Sequence, residues 1–453
     1  MIEKFIVKKN VLFILIDGLR ADQVYGNERK SYTPFLDSLR DKGIYFENTF
    51  VPGDGTHISL NCLFNSKFQF ETGIRAKKII LLEDNHIATF KKQGYTISGL
   101  IPKLTSFNSI KDYLENENCT FDSGPPPETL FSGMIEKISN LLDSLKNKSP
   151  WFCYIHLFDL HPLKEGRIPK DINEFESEKF GDSLYSKTVS SIDNGLKKIL
   201  ENIDLKNTIL VITADHGDKI PYGEKFSFQF EPELKTATSL GRAILPKSTH
   251  KVTGKILGQI KKGIGKRKSE HYNQNLTPYQ KRSREPYFTL SLHDEILHVP
   301  FFISNTDLSK KIISNQISNL DIFPTLFELL EIPFKNTKYS SSLVPLINEN
   351  NILEREIFLH TIPYEEESPL DRIGLRTSKY KYFRNSRDEN EDVTLYDLEN
   401  DPFENNNIAK NKPKTVIEME NILKEMKKDF GNLKNASDED EVIKEELKKL
   451  GYL

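Results

Sequence analysis

The sequence predicts an α/β protein: a large, mostly parallel sheet flanked by helices, followed by a small C-terminal α+β subdomain with an antiparallel sheet. Three observations predict it. Val11-Leu-Phe-Ile-Leu-Ile16 and Thr208-Ile-Leu-Val-Ile-Thr213 are apolar, β-rich runs without alternation, the pattern of strands buried on both faces. Strand and helix patterns then alternate along most of the first 330 residues. Near residue 345 the character changes to short strands separated by turn signals and closed by charged amphipathic helices.

Each element has its own justification. Thr33-Pro34 to Gly43 has a helix start, a Gly stop, and Phe35, Leu36 and Leu39 on one face. Ile44 to Phe50 is a short strand. Pro52-Gly-Asp-Gly-Thr-His57 is a turn, and a helix follows it, so Thr56 lies at a helix amino terminus, where free N–H groups favour an anion. His86 to Gly94 reads as a helix, Tyr95 to Ile101 and Trp151 to Phe158 as strands, and Ser183 to Glu201 as a helix leading into the strand at 208. His298 to Ile303 is a further strand and Asp321 to Leu330 a helix. Beyond them, 356–360, 373–383 and 393–397 supply the short strands. The predicted organisation is a catalytic domain over 1–345, interrupted by an insertion at about 219–290, and a subdomain over 346–453.

Composition narrows the class. A net charge of −3 over 453 residues gives no global polyanion signal, and nucleic acid is not favoured. Cys62, Cys119 and Cys153 are scattered and make no metal or CxxC spacing. The first ten residues lack a continuous apolar signal region, and no run of eighteen apolar residues occurs, so a cytoplasmic protein is expected. Lys235 to Lys268 holds ten Lys/Arg and no Asp or Glu. It reads as a solvated basic loop, with a lid or a contact to an anionic polymer or membrane surface as its functional alternative.

The chemistry gathers at strand ends. The first strand ends in Asp17-Gly18 and the 208–213 strand in Asp215-His216, and open α/β sheets build sites at the carboxyl ends of their strands. Two strand ends offering Asp, Asp and His form a candidate hard-metal site. Each residue has a plainer reading: a turn for Asp17, an ordinary loop for Asp215 and His216, a helix cap for Thr56.

With these residues in view the chain resembles the sulfatase family of the alkaline phosphatase superfamily. Asn10 to Asp17, with Arg20 and Asp22, is similar to the family's opening strand and first metal carboxylate. Thr33-Pro34 to Gly43 and Phe46, then Asp215-His216-Gly217, fit later motifs in order. So do Leu292-His-Asp-Glu-Ile-Leu-His298-Val-Pro300, Leu320-Asp-Ile-Phe-Pro-Thr-Leu326, and Leu395-Tyr-Asp-Leu-Glu-Asn-Asp-Pro402 with Asn407. The resemblance implies an alkaline-phosphatase-like sandwich and one divalent metal ion on Asp17, Thr56, Asp215 and His216, with Mn or Zn ahead of Mg or Ca. It also implies catalytic roles for Thr56, His161 in Asp159-Leu-His161-Pro162, His293 and His298.

Two departures matter. Sulfatases convert a Cys or Ser in a C/S-x-P-x-R motif to formylglycine, whereas here Thr56 holds that position without the Pro or the Arg, and Cys62 comes six residues too late. Gly18 stands where the family has a second carboxylate. A threonine sulfate lacks the elimination step of a formylglycine diol, so the residues favour a hydrolase or transferase of a phosphate (di)ester acting through phospho-Thr56. The expected partner is an anionic ester on a glycan, a lipid-linked group or a polymer. The alternatives are a sulfuric ester hydrolase and a catalytically silent polyanion-binding protein.

Overall fold

A computed structural model describes residues 8–72, 78–124, 127–165, 170–201, 205–220, 276–283, 291–349, 354–361, 370–429 and 445. The chain forms two compact units, one of Met1–Asp218 with Tyr287–Leu453 and one of Lys219–Pro286. The smaller unit contributes the short helix Pro278–Ser283. The basic run 235–268 lies outside the described residues.

The larger unit is built on an eight-stranded sheet. Its strands are β1 (Asn10–Ile16), β2 (Ile44–Phe50), β3 (Thr96–Pro102), β4 (Thr120–Phe121), β5 (Trp151–Leu157), β6 (Thr208–Thr213), β7 (His298–Ser304) and β8 (Lys311–Ser318), in the order β4-β3-β5-β1-β6-β7-β2-β8. Five neighbours from β4 to β6 run parallel, β7 is antiparallel to both β6 and β2, and β8 is parallel to β2. Every residue of β1, β5 and β6 is buried, as the unbroken apolar runs predict. Two strands escaped the sequence reading. β4 has only two residues, and β8, on the sheet edge, mixes polar exposed positions with buried ones, so neither presents an apolar run.

The longer helices are α1 (Pro34–Lys42), α2 (Thr56–Asn65), α3 (His86–Lys92), α4 (Met134–Leu145), α5 (Leu184–Leu200), α6 (Ile322–Leu329) and α7 (Pro413–Lys427). A hydrophobic core joins β1, β3 and β5 to α2, α3 and α6 through an aromatic cluster. Phe13 stacks on Phe323 at 5.4 Å, Phe90 on Phe152 at 4.6 Å, and Phe64 meets Tyr154 edge-on at 5.3 Å. Helix α1 packs on α5, and its first turn is pinned because the Phe35 and Leu36 N–H groups donate to the Asp193 carboxylate at 3.1 and 2.8 Å.

A separate four-stranded antiparallel sheet follows, formed by β9 (Ile357–His360), β10 (Arg372–Arg376), β11 (Tyr380–Asn385) and β12 (Thr394–Asp397). Its order is that of the chain, so each neighbour is a simple antiparallel step. Helix α7 packs on β10 and β11, where the buried Arg384 guanidinium reaches Glu420 at 3.0 Å. Among the described residues no helix is long and apolar enough to cross a membrane.

Candidate metal and ester site

Parallel register creates the site. Leu15 of β1 pairs with His156 of β5 on one side and with Thr213 of β6 on the other. Asp17 and Asp215 therefore emerge level with each other, two residues beyond a matched pair. The Asp17 N–H still donates to the Leu157 carbonyl at 2.9 Å, and the chain then turns at Gly18, whose φ of +75° is one that L side chains rarely adopt. The Gly18 N–H donates to Asp215 Oδ1 at 3.1 Å, so the turn after one strand orients the carboxylate after the other.

Around these two acids stand a hydroxyl and four imidazoles. Thr56 opens α2, and its Oγ1 lies 3.2 Å from Asp17 Oδ2 and 3.3 Å from His216 Nε2. His216 Nε2 is 3.6 Å from Asp215 Oδ2, and its Nδ1–H donates to the Gly217 carbonyl at 2.6 Å, which leaves the Nε2 lone pair facing the acids. His161 Nδ1 stands 3.7 Å from Asp17 Oδ1, its ring stacked on Phe158 at 4.0 Å. His156 Nε2 lies 3.6 Å from Asp17 Oδ2. His57, next to Thr56, is pushed down to about 4 by burial, which the negative charge of Asp17 only partly offsets. Asp159, close to His161 in the chain, is pushed up to about 7 by burial.

Asp17, Thr56, Asp215 and His216, the four metal ligands expected from the sequence, are thus brought together with His161. His293 and His298 are taken up by other partners. His293 sits between the Ser291 hydroxyl at 3.0 Å and the Tyr396 hydroxyl at 3.1 Å, and His298 donates from Nε2 to the Glu47 carbonyl at 2.5 Å while stacking on Phe50. They flank the short helix Asp294–Leu297, which Arg376 and Lys381 bind through Asp294, and this anchoring turns them toward β12 and β2. His156 and His57 were not singled out in the sequence. The available signal for His156 was an imidazole inside an otherwise apolar strand, three residues before Asp159.

The residues fit a cation. Ligand atoms of Asp17, His156 and Asp215 all lie within 4.8 Å of one another, and all three side chains are buried. Asp215 Oδ2 is buried and has no hydrogen-bond partner among the described residues, a costly position for a carboxylate oxygen unless a positive charge faces it. Close approach shapes the loop as well: a Cβ at Gly217 would meet the Glu295 carbonyl oxygen at 2.3 Å.

A family model described as sulfatase matches residues 9–332, and one described as N-sulphoglucosamine sulphohydrolase, C-terminal, matches residues 287–436. The chain belongs to the sulfatase family. It is 23% identical over 487 aligned residues to an ulvan-active sulfatase of Formosa agariphila, covering 92% of this chain and 79% of that protein. Arylsulfatase K of Gallus gallus is 28% identical over 145 residues, 30% of this chain and 27% of the relative, so that match spans under a third of the relative's length. The fold is shared with the phosphonate monoester hydrolase of Agrobacterium radiobacter, at a TM-score of 0.64 and 14% identity over 92% of this chain and 95% of that one. Members of this family are hydrolases of the alkaline phosphatase superfamily and typically use a divalent metal.

Proposed function

We propose that this sulfatase-family chain is a metal-dependent hydrolase of an anionic ester, with a sulfuric ester carried on a glycan as the first reading. The carrying observation is the Thr56 hydroxyl set 3.2 Å from Asp17 and 3.3 Å from His216, with Asp215 3.6 Å beyond the same His216 nitrogen. The family and its sulfatase relatives favour sulfur over the phosphate ester that Thr56 alone led us to expect. The ulvan-active relative supports a polysaccharide carrier. Asp17, Asp215 and His216 would hold the ion, with Zn or Mn ahead of Mg or Ca. A bound divalent ion supplies positive charge against the ester oxygens and makes a nearby hydroxyl more acidic.

The chain's own residues then divide the work. Thr56 Oγ1, its proton directed to Asp17 Oδ2, attacks the ester's central atom, and the bond from that atom to the alcohol oxygen breaks. His161 gives the leaving oxygen a proton. Water attacks the same central atom in the second step and gives its proton to His161, while Asp17 returns its proton to the threonine oxygen as the oxyanion leaves. The helix that begins at Thr56 points its free N–H groups at the anion.

A phosphate or phosphonate ester is the second reading, and one observation favours it: Thr56 is an unmodified hydroxyl where a formylglycine would stand. Aryl sulfates, phosphate monoesters and diesters, and phosphonates assayed side by side with metal-loaded protein test both. Turnover of sulfates supports the first reading, and turnover of phosphorus esters alone supports the second. Metal binding with no turnover of any of them would overturn the enzymatic reading in favour of a silent polyanion binder.

A further inference from the structure

We propose that His156 is a metal ligand, with the Tyr154 hydroxyl fixing its tautomer, so that two imidazoles rather than one select a zinc-class ion. This rests on the metal-dependent reading of the same site and adds a ligand that the sequence motifs do not contain.

The first observation is an unanswered nitrogen. His156 is fully buried in β5, and its Nε2 has no hydrogen-bond partner among the described residues. Asp17 Oδ2 lies 3.6 Å away, too far for a hydrogen bond, so a proton on Nε2 would be buried and unsatisfied. The proton therefore belongs on Nδ1, which is 2.8 Å from the Tyr154 hydroxyl oxygen. Ligating histidines characteristically donate their second N–H to a carboxylate, carbonyl or water, and here the Tyr154 oxygen takes that acceptor's place, which leaves Nε2 to face the metal.

The second observation is the spacing. His156 Nε2–Asp17 Oδ2 at 3.6 Å, Asp17 Oδ2–Thr56 Oγ1 at 3.2 Å, Thr56 Oγ1–His216 Nε2 at 3.3 Å and His216 Nε2–Asp215 Oδ2 at 3.6 Å form a chain of near-equal edges. Atoms each about 2.0–2.2 Å from one ion lie about 3.0–3.6 Å apart, so these are the edges of a coordination shell.

The third is the gap that His156 fills. No carboxylate is available at Gly18, and a Cβ there would come within 3.2 Å of Asp218 Oδ2 on a backbone at φ +75°. His156 reaches Asp17 from the opposite neighbour strand of β1, across from Asp215 on β6. Exchanging a carboxylate for an imidazole moves the donor set away from calcium and magnesium, which take oxygen ligands, toward zinc.

The test uses the full chain stripped of metal and titrated calorimetrically with Zn²⁺, Mn²⁺ and Ca²⁺. His156→Ala should weaken Zn²⁺ at least 100-fold and Ca²⁺ less than threefold, and Tyr154→Phe should weaken Zn²⁺ about 10- to 100-fold. X-ray absorption of the Zn²⁺-loaded native protein should count two imidazoles, a readout that does not depend on any variant folding. One imidazole in that spectrum, or native Zn²⁺ affinity in a folded His156→Ala protein, would overturn the assignment and leave the metal-dependent reading standing. Failure of the native chain to bind any of the three ions would overturn both.

Discussion

At the scale of single residues the site turns on Thr56 and Gly217. Thr56 is 7% exposed and has both an acid and an imidazole within 3.3 Å of its hydroxyl, so its oxygen is the group best placed to attack an ester. Thr56→Ala should lower turnover by several orders of magnitude while metal content, measured by elemental analysis, stays near native through the remaining ligands. Thr56→Ser, which keeps the oxygen, should retain appreciable activity. Equal activity in native and Thr56→Ala protein would remove the nucleophile from the scheme. Gly217→Ala should act differently, because the added carbon would collide with the Glu295 carbonyl and displace the loop that carries His216. Both turnover and metal affinity should fall about tenfold or more, and a native metal titration would show that the loop absorbs the strain. The acids and His216 were legible in the sequence because they terminate apolar strands. His156 was not, because register with β1, rather than spacing along the chain, brings it to Asp17.

At the scale of elements, the site loop is held by a clamp that lies beyond the catalytic strands. The Gly217 N–H donates to the Ile296 carbonyl at 2.6 Å, on the short helix Asp294–Leu297. Asp294 is bound in turn by Arg376 at 2.8 Å and Lys381 at 2.5 Å, and Lys381 also reaches Glu404 at 2.6 Å. Burial would raise the Asp294 carboxyl, but the charges of Arg376 and Lys381 outweigh it and hold the group well below the usual range. Arg376 lies 3.4 Å above the Phe50 ring, which ties the clamp to β2 as well. Lys381→Met leaves two acids facing a missing cation, and Lys381 is fully buried, so unfolding free energy should drop by about 3–5 kcal/mol in a denaturant titration. A change below about 1 kcal/mol would mean that Arg376 alone suffices for Asp294. The sequence showed the strands of this clamp as short runs with turn signals, and it showed most of the large sheet. It could not show the charge pairing, because Asp294 and Lys381 are distant in the chain and each looks like an ordinary surface residue. The edge strand β8 was hidden for a related reason: only three of its eight residues are buried, so no apolar run marks it.

At the scale of the whole molecule, buried ionisable groups set how stability varies with pH, and two of them pull in opposite directions. His86 is sandwiched in the aromatic core, stacked on Phe323 at 4.9 Å with Nε2 2.7 Å from the Ser66 hydroxyl, and burial lowers it to about 3. Below its ordinary value of 6.5 the unfolded chain binds a proton there that the folded chain refuses, so stability falls as pH drops from 6.5 toward 3. Asp159 has the reverse sign. Its Oδ1 accepts the Leu130 N–H at 2.8 Å, its Oδ2 is buried without a hydrogen-bond partner among the described residues, and burial raises it to about 7. Between its ordinary 3.8 and about 7 the folded chain holds a proton that the unfolded chain has released, so this contribution is present at low pH and is lost as pH rises through about 7. Asp159→Asn keeps the acceptor for Leu130 and cannot ionise. Measured by urea unfolding, the stability of the Asn variant relative to native should grow by up to about 1.4 kcal/mol per pH unit from pH 4 to pH 7 and level off above that. A difference that stays flat across this range would show that Asp159 ionises in the folded protein as it does in the unfolded chain, with a cation or water answering its second oxygen.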